Sequence, residues 1–174
     1  ELPRSLRRQR QMCIRDRIDA GSIFKIDYKT LIMIGSAIEC IHAYSLIHDD
    51  LPCMDNDTIR RGKQSTHIKF GESTAVLAGN SLLTMAFEIL THKDLNTSQA
   101  VKVDLVNKLS ECAGHIGIAG GQYLDLSYEH KKVSKKRILE MEIKKTGKLF
   151  SFCCVVPLIL KKRNKSEIKK FENL

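Results

Sequence analysis

Four aspartates and two arginines crowd the segment from His42 to Gly62, HAYSLIHDDLPCMDNDTIRRG: Asp49, Asp50, Asp55 and Asp57, then Arg60 and Arg61. Carboxylates at this density repel one another unless positive charge sits among them. A hard divalent cation meets that need, because Mg²⁺ prefers oxygen ligands and takes one or two carboxylates together with substrate phosphates. The adjacent arginines supply the complementary chemistry, since a guanidinium fork binds phosphate oxygens in pairs and stays charged. The bland alternative is an acidic loop salt-bridged to its own arginines, and on the bare spacing the two readings stand level. A calcium loop fits less well, because the D-x-D-x-D-G spacing is absent.

The elements that must position these groups read as helices. From Tyr28 to His48, Leu31, Ile34, Ile38 and Ile41 recur at spacings of three and four, with apolar residues on the other sides too, so this helix is expected to be largely buried. Asp49 and Asp55 lie six residues apart, about 120° around an ideal helix, so an unbroken helix would not converge them. Pro52 between them disfavours regular helix, which permits a bulged end that turns Asp55 back toward Asp49. A polar loop is expected from Asp49 to Lys63. A second helix, apolar nearly all round, spans 73–92. A third runs from Ser98 to about Ala119 with a stripe of Val101, Leu105, Leu109, Cys112 and Ile116, started by Thr97 or Ser98 and broken by Gly120-Gly121. Ser134 caps a fourth, which Pro157 is expected to kink or stop, and the last residues open another. The expected fold class is all-α.

Composition narrows the function. The chain has 174 residues and a net charge of +9, but residues 1–17 and residues 161–174 each carry +4, leaving the middle almost neutral. Two basic ends without a tryptophan are a poor nucleic-acid surface, so no nucleic-acid partner is expected. The longest apolar run, Leu149 to Leu160, is too short for a bilayer and holds Ser151 and Pro157, so no membrane span is expected. Six cysteines (Cys13, Cys40, Cys53, Cys112, Cys153, Cys154) lack Cys-x-x-Cys spacing and read as small buried hydrophobes of a cytoplasmic protein. Residues 1–17, ELPRSLRRQRQMCIRDR, are arginine-dense without apolar periodicity and read as a non-native or disordered segment, with residues 18–174 forming the helical domain.

The aspartate-rich segment resembles the first such motif of the polyprenyl diphosphate synthases, most of all the bacterial farnesyl diphosphate synthases and their geranylgeranyl relatives. The similarity continues through RRGKQSTHIKFGESTAVLAGNSLLTMAFEIL, then GIAGGQYLDL, then KKTGKLF, covering about residues 30 to 160. It implies part of an isoprenoid-synthase-type helical bundle and Mg²⁺-dependent head-to-tail joining of an allylic diphosphate (dimethylallyl or geranyl) with isopentenyl diphosphate. It further implies that Asp49 and Asp55 bind Mg²⁺ with Asp50 in support, and that Arg60, Lys145 and Thr146 contact the allylic diphosphate. His42 and Arg61 would contact isopentenyl diphosphate, Gln122 and Asp125 would stand behind the metals, and the full-length enzyme would be a homodimer. No protein nucleophile is required. Tyr44, five residues before Asp49, is a bulky aromatic where the family associates one with a C15 product, so the expected product is farnesyl diphosphate; core packing is the other reading of that residue.

Thr58 and Asn80 depart from the family pattern, standing where relatives often carry aspartate. The family's upstream glycine-lysine-arginine block does not appear, and its second aspartate-rich motif would come shortly after Leu174. The chain as given is therefore expected to be a truncated reading with little or no activity of its own. The alternatives are a non-catalytic paralogue or partner subunit, a geranylgeranyl diphosphate synthase, and a cyclase or head-to-head condensing relative. The intact Asp49, Asp55, Arg60 and Arg61 argue against decay, and the RRGKQSTH and GGQYLDL blocks favour chain elongation.

Overall fold

The computed structural model describes residues 24–172, so the segment 1–17, with Cys13, lies outside the described residues. Helix α1 covers Tyr28–Asp49 and begins at Asp27, whose carboxylate accepts from the Thr30 amide at 2.9 Å. A hairpin follows, β1 (Ile59–Arg60) and β2 (Lys63–Gln64), then the short α2 (Thr66–Phe70) and the long α3 (Glu72–Thr91). The remaining elements are α4 (Gln99–Ala113), α5 (Ile118–Tyr128), α6 (Lys135–Glu142), a π-helical turn (Ile143–Gly147), α7 (Lys148–Leu160) and α8 (Lys165–Glu172). Apart from the four residues in strands, all regular structure among the described residues is helical, and the all-α expectation holds.

Helices α1 and α3 pack on each other more extensively than any other pair. The core is one cluster: Ile34, Ile38 and Ile41 from α1, Ala86 and Leu90 from α3, Leu105 and Leu109 from α4, and Phe152, Val155 and Val156 from α7. Burial of these side chains, each stabilising by roughly 1.5–3 kcal/mol, is what holds the bundle. By length and mean hydropathy (1.5 and 1.3) α1 and α3 would each pass as a bilayer span, which the run-length reading did not anticipate. Core helices of bundles meet the same criteria, and α1 turns Leu31, Ile34, Ile38 and Ile41 onto protein.

Several boundaries differ from expectation, each for a local reason. The third helix stops at Ala113 rather than 119, because Gly114 and Gly117 break it, and Ile116 is exposed rather than part of the stripe. A β-carbon on Gly117 would lie 2.0 Å from the Cys112 carbonyl oxygen, so only glycine permits this turn. Gly120-Gly121 therefore does not end a helix; the pair lies inside α5. Ser98, not Thr97, caps α4, accepting from the Val101 amide at 3.4 Å. Pro157 does not stop α7, which continues to Leu160 with the proline inside it. Helix α3 is one-sided: Val76, Leu77 and Met85 are exposed. Cys112 and Cys153 are buried as expected, whereas Cys53 and Cys154 are exposed. Lys102, only 4% exposed, donates at 2.6 Å to the His92 carbonyl at the end of α3, placing a cation where that helix's dipole is negative.

The loop after α1 is shaped by its own backbone. The Leu51 carbonyl accepts from Met54 (2.9 Å) and Asn56 (3.1 Å), and the Asp55 amide donates to the Asp49 carbonyl at 2.9 Å. The chain then reverses at Arg61-Gly62, both with positive φ (53° and 76°), as a two-residue type I′ hairpin requires. Asp50, 3% exposed, ties the hairpin to the end of α1: Arg60 donates to it through Nε at 2.9 Å and through its terminal nitrogen.

Two stability measurements test this packing. Leu109→Ala, at a fully buried site, lowers the urea-unfolding free energy by about 3 kcal/mol, the cost of lost burial plus a cavity. Asp50→Ala leaves Arg60 without its buried partner and costs about 2 kcal/mol, discounted because Arg60 is partly solvated; an unchanged midpoint shows that the hairpin does not depend on this pair.

Candidate functional site

Of the ten site residues named from the sequence, seven (His42, Asp49, Asp55, Arg60, Arg61, Lys145 and Thr146) border a single cavity of about 470 Å³, and Asp50, Gln122 and Asp125 do not. One wall is the C-terminal half of α1, which presents Ile38, His42, Ser45, Leu46 and Asp49 at spacings of three and four. The rim is the loop and hairpin carrying Asp55, Asp57, Arg60 and Arg61. The opposite wall is the π-helical turn with Lys145 and Thr146, continued by Leu149 and Phe150, with Ile118 at the start of α5. The cavity is thus acidic at Asp49 and Asp55, cationic on both flanks, and apolar along Ile38, Leu46, Ile118, Leu149 and Phe150.

Asp49 is the group most perturbed by this setting. Burial pushes its pKa up to about 6, with the Asp55 and Asp50 charges adding to the rise and Lys145 and Arg60 opposing it. Asp55 is held from α5, where Gln122 Nε2 donates to its carboxylate at 3.1 Å. Lys145 Nζ lies 2.6 Å from the Asp125 carboxylate and 4.0 Å from that of Asp55. Burial pulls the Lys145 pKa down, but the Asp125 hydrogen bond and the charges of Asp49, Asp125 and Asp55 outweigh it and hold the ammonium above its ordinary value. Gln122 and Asp125 therefore do not border the cavity; they brace two groups that do.

The second cationic group is laid out differently. His42 lies on α1 one turn above Ser45, and the Arg61 guanidinium stands 3.5 Å from its Nε2. Burial lowers the His42 pKa; Glu39 opposes this while Arg61 and Arg60 reinforce it, so the ring is neutral near pH 7 and can share a proton with an anion. The positive φ of Arg61 in the hairpin turn sets the backbone from which its side chain reaches back to α1. Arg60, by contrast, spends its fork on Asp50 and, at 3.3 Å, on Asp57. The acidic-loop alternative is thus realised for Asp50, which faces Arg60 and does not border the cavity.

The donor set fits a magnesium ion that shares its coordination with a substrate. Among the described residues no three His, Cys, Asp or Glu side chains gather into a site complete in itself. Four carboxylates line the cavity, Glu39, Asp49, Asp55 and Asp57, and burial raises the pKa of Asp49. Mg²⁺ suits such an incomplete set, because phosphate oxygens and water fill its octahedron. The side-chain oxygen of Gln122, buried beside Asp55 without a partner, is a further acceptor behind that set.

Sequence reasoning missed Glu39, Ser45 and Asp57 as lining residues. Their signal was available: Glu39, His42, Ser45 and Asp49 follow the helical spacing back from the acidic motif, and Asp57 is one of the four counted aspartates. Tyr44 does not border the cavity. It is buried behind α1, its hydroxyl donating to the Ala113 carbonyl at 3.4 Å and its ring edge-on to His48.

Comparison with known proteins places this geometry. Farnesyl diphosphate synthase of Bacillus subtilis is 47% identical over 130 residues, which is 74% of this chain and 44% of that protein. The chain thus spans less than half the length of this curated relative. A crystal structure of an FPP/GFPP synthase from Zymomonas mobilis superposes with a TM-score of 0.87 at 38% identity, covering 93% of this chain and 59% of that one. A geranyltransferase from Helicobacter pylori, complexed with magnesium and isoprenyl diphosphate, superposes with a TM-score of 0.82 at 32% identity, covering 93% and 56%. The family model described as Polyprenyl synthetase matches residues 7–174. With the match running across nearly the whole chain and the same helical fold in its solved neighbours, the chain belongs to the polyprenyl synthetase family.

Proposed function

We propose that the cavity binds two isoprenoid diphosphates and that the protein is a Mg²⁺-dependent trans-prenyltransferase. It would join an allylic diphosphate to isopentenyl diphosphate, with farnesyl diphosphate as product. The observation that carries this reading is the arrangement of one apolar cavity between two separate cationic groups, Lys145 on one wall and the His42–Arg61 pair on the other, with Asp49 and Asp55 between. Two cationic groups suit two diphosphates, and the apolar lining suits hydrocarbon tails. Likeness to the Bacillus subtilis farnesyl diphosphate synthase supports it, as does likeness to the Helicobacter pylori geranyltransferase in its complex with magnesium and isoprenyl diphosphate.

In this reading Asp49 and Asp55 hold Mg²⁺, with Gln122 fixing the Asp55 carboxylate. The metal supplies charge neutralisation for the departing pyrophosphate. Lys145 exchanges Asp125 for a phosphate oxygen of the allylic substrate, helped by the Thr146 hydroxyl, and Arg60 adds charge from the rim. Neutral His42 and Arg61 hold the diphosphate of the second substrate. The allylic C–O bond breaks, its electron pair leaving with pyrophosphate, and the alkene of isopentenyl diphosphate closes the new C–C bond onto the resulting cation. Loss of one proton to pyrophosphate restores the double bond. Stabilising the leaving charge is the protein's contribution, and no side chain needs to become covalently attached. The proposal places the enzyme in the cytoplasm as a homodimer, with the exposed Val76, Leu77 and Met85 face of α3 available for the partner.

The first test is titration of the chain with inorganic pyrophosphate by calorimetry, with and without Mg²⁺. Wild type binds only with the metal. Asp55→Ala and Lys145→Ala each weaken binding by about tenfold or more, whereas metal-independent binding, or no effect of either substitution, refutes the reading. The second test follows from Asp49. Its folded pKa is raised, so its favourable contribution is present below about 4, the ordinary carboxylate range, and is lost as pH rises through about 6. Without metal, Asp49→Asn is therefore more stable than wild type at pH 7.5 by about 1–2 kcal/mol, and the gap closes below pH 4. Added Mg²⁺ narrows the gap at pH 7.5 by stabilising wild type alone; a gap that ignores both pH and Mg²⁺ contradicts the assignment.

A further inference from the structure

Lys145 sits where an unbroken helix would not put it. Residues Ile143–Gly147 form a π-helical turn between α6 and α7, an extra-wide turn that shifts the helix's facing by part of a turn. Directly against it lies α5, and the contact is made at Gly121. A β-carbon on Gly121 would lie 2.3 Å from the Lys145 amide nitrogen and 2.5 Å from its Cα. These are backbone atoms, so no side chain can swing aside to make room. At Gly79, by comparison, an added β-carbon would meet the His48 ring, which has torsions with which to yield.

The residues around this contact are those that brace the acidic centre. Gln122, next to Gly121, donates to Asp55 at 3.1 Å, and Asp125, one turn on, accepts from Lys145 at 2.6 Å. The Lys145–Asp125 bond crosses the α5–π-turn seam, while the Gln122–Asp55 bond runs from the same stretch of α5 to the loop after α1. Gln122 is 7% exposed and its side-chain oxygen lacks a partner, so its orientation is set by the single bond to Asp55 and by the seam.

We infer that Gly121 is a positioning residue: the backbone contact between Gly121 and the π-helical turn sets where Lys145 stands in the cavity, and hence how strongly it takes a diphosphate. The inference rests on the reading of the cavity as a diphosphate site. Adding one methyl group at Gly121 pushes α5 and the turn apart and lengthens the Lys145–Asp125 bond. The effect passes through Lys145, whose backbone atoms are the ones the added methyl group meets.

The test is a double-mutant cycle with magnesium pyrophosphate as the probe, read by calorimetry on the full chain, with circular dichroism and thermal midpoint measured in parallel. Gly121→Ala weakens binding on the order of tenfold or more. In a Lys145→Ala background the same change weakens binding much less, because the group it displaces is already gone. Leu109→Ala, destabilising through the core, leaves the affinity of the folded protein unchanged. Should Gly121→Ala fail to fold, deletion of Lys144 moves Lys145 from the other side of the seam, narrowing the wide turn to an ordinary one, and produces the same loss. If wild type binds and Gly121→Ala binds equally, or if its loss is as large without Lys145 as with it, the inference falls while the site reading stands. If wild type takes up no magnesium pyrophosphate, both fall.

Discussion

Asp49 and Asp55 face one cavity with like charges, and much of the structure around them manages that repulsion and the burial of Asp49. Asp49 shows it directly, its pKa pushed up to about 6 chiefly by burial. Within the acidic loop Arg60 relieves this only in part, because it is committed to Asp50. Relief comes from across the cavity, where Lys145 stands 4.0 Å from Asp55. A site built in this way is charged, incomplete and poised for a cation, which is the condition a shared metal and a diphosphate would satisfy together.

The bundle supplies the rigidity such a site needs. Helix α1 is held by Ile34, Ile38 and Ile41 in the core while the next residues around its axis, His42 and Asp49, face the cavity. One helix therefore joins the packed interior to the charged centre, and its end cannot move without disturbing the core. On the other side α7 does the same, with Phe152 and Val155 buried and Leu149 and Phe150 turned toward the cavity. The π-helical turn between α6 and α7 lets the helix serve both duties by changing which residues face inward.

Much of this was legible in the residues. The all-α class followed from recurring three- and four-residue spacings, whereas the hairpin at Arg61-Gly62 stood only as part of an expected polar loop. The named site residues came from a family resemblance carried by contiguous motifs, and seven of the ten border the cavity. Pro52 between Asp49 and Asp55 foretold a bulge, and the backbone bond between those residues is its form. What escaped notice depended on partners remote in sequence. Gly120-Gly121 looked like a helix stop because glycine lowers helix propensity, yet close packing against Lys145 outweighs that loss. The bond from the buried Lys102 to the His92 carbonyl at the end of α3 likewise joins helices that no local pattern pairs.

The sequence by itself determined the kind of chemistry available: oxygen ligands for a hard cation, guanidinium and ammonium groups for phosphate, and apolar helices to carry them. Those properties belong to residue types and to spacings of a few positions, so a linear reading reaches them. The tertiary structure alone decided the pairings. It paired Arg60 with Asp50 at the cavity rim, set Lys145 between Asp125 and Asp55, and turned Tyr44 into the space behind α1. Each pairing joins side chains whose separation is set by how helices pack, and packing depends on the fit of many surfaces at once, which no local pattern encodes.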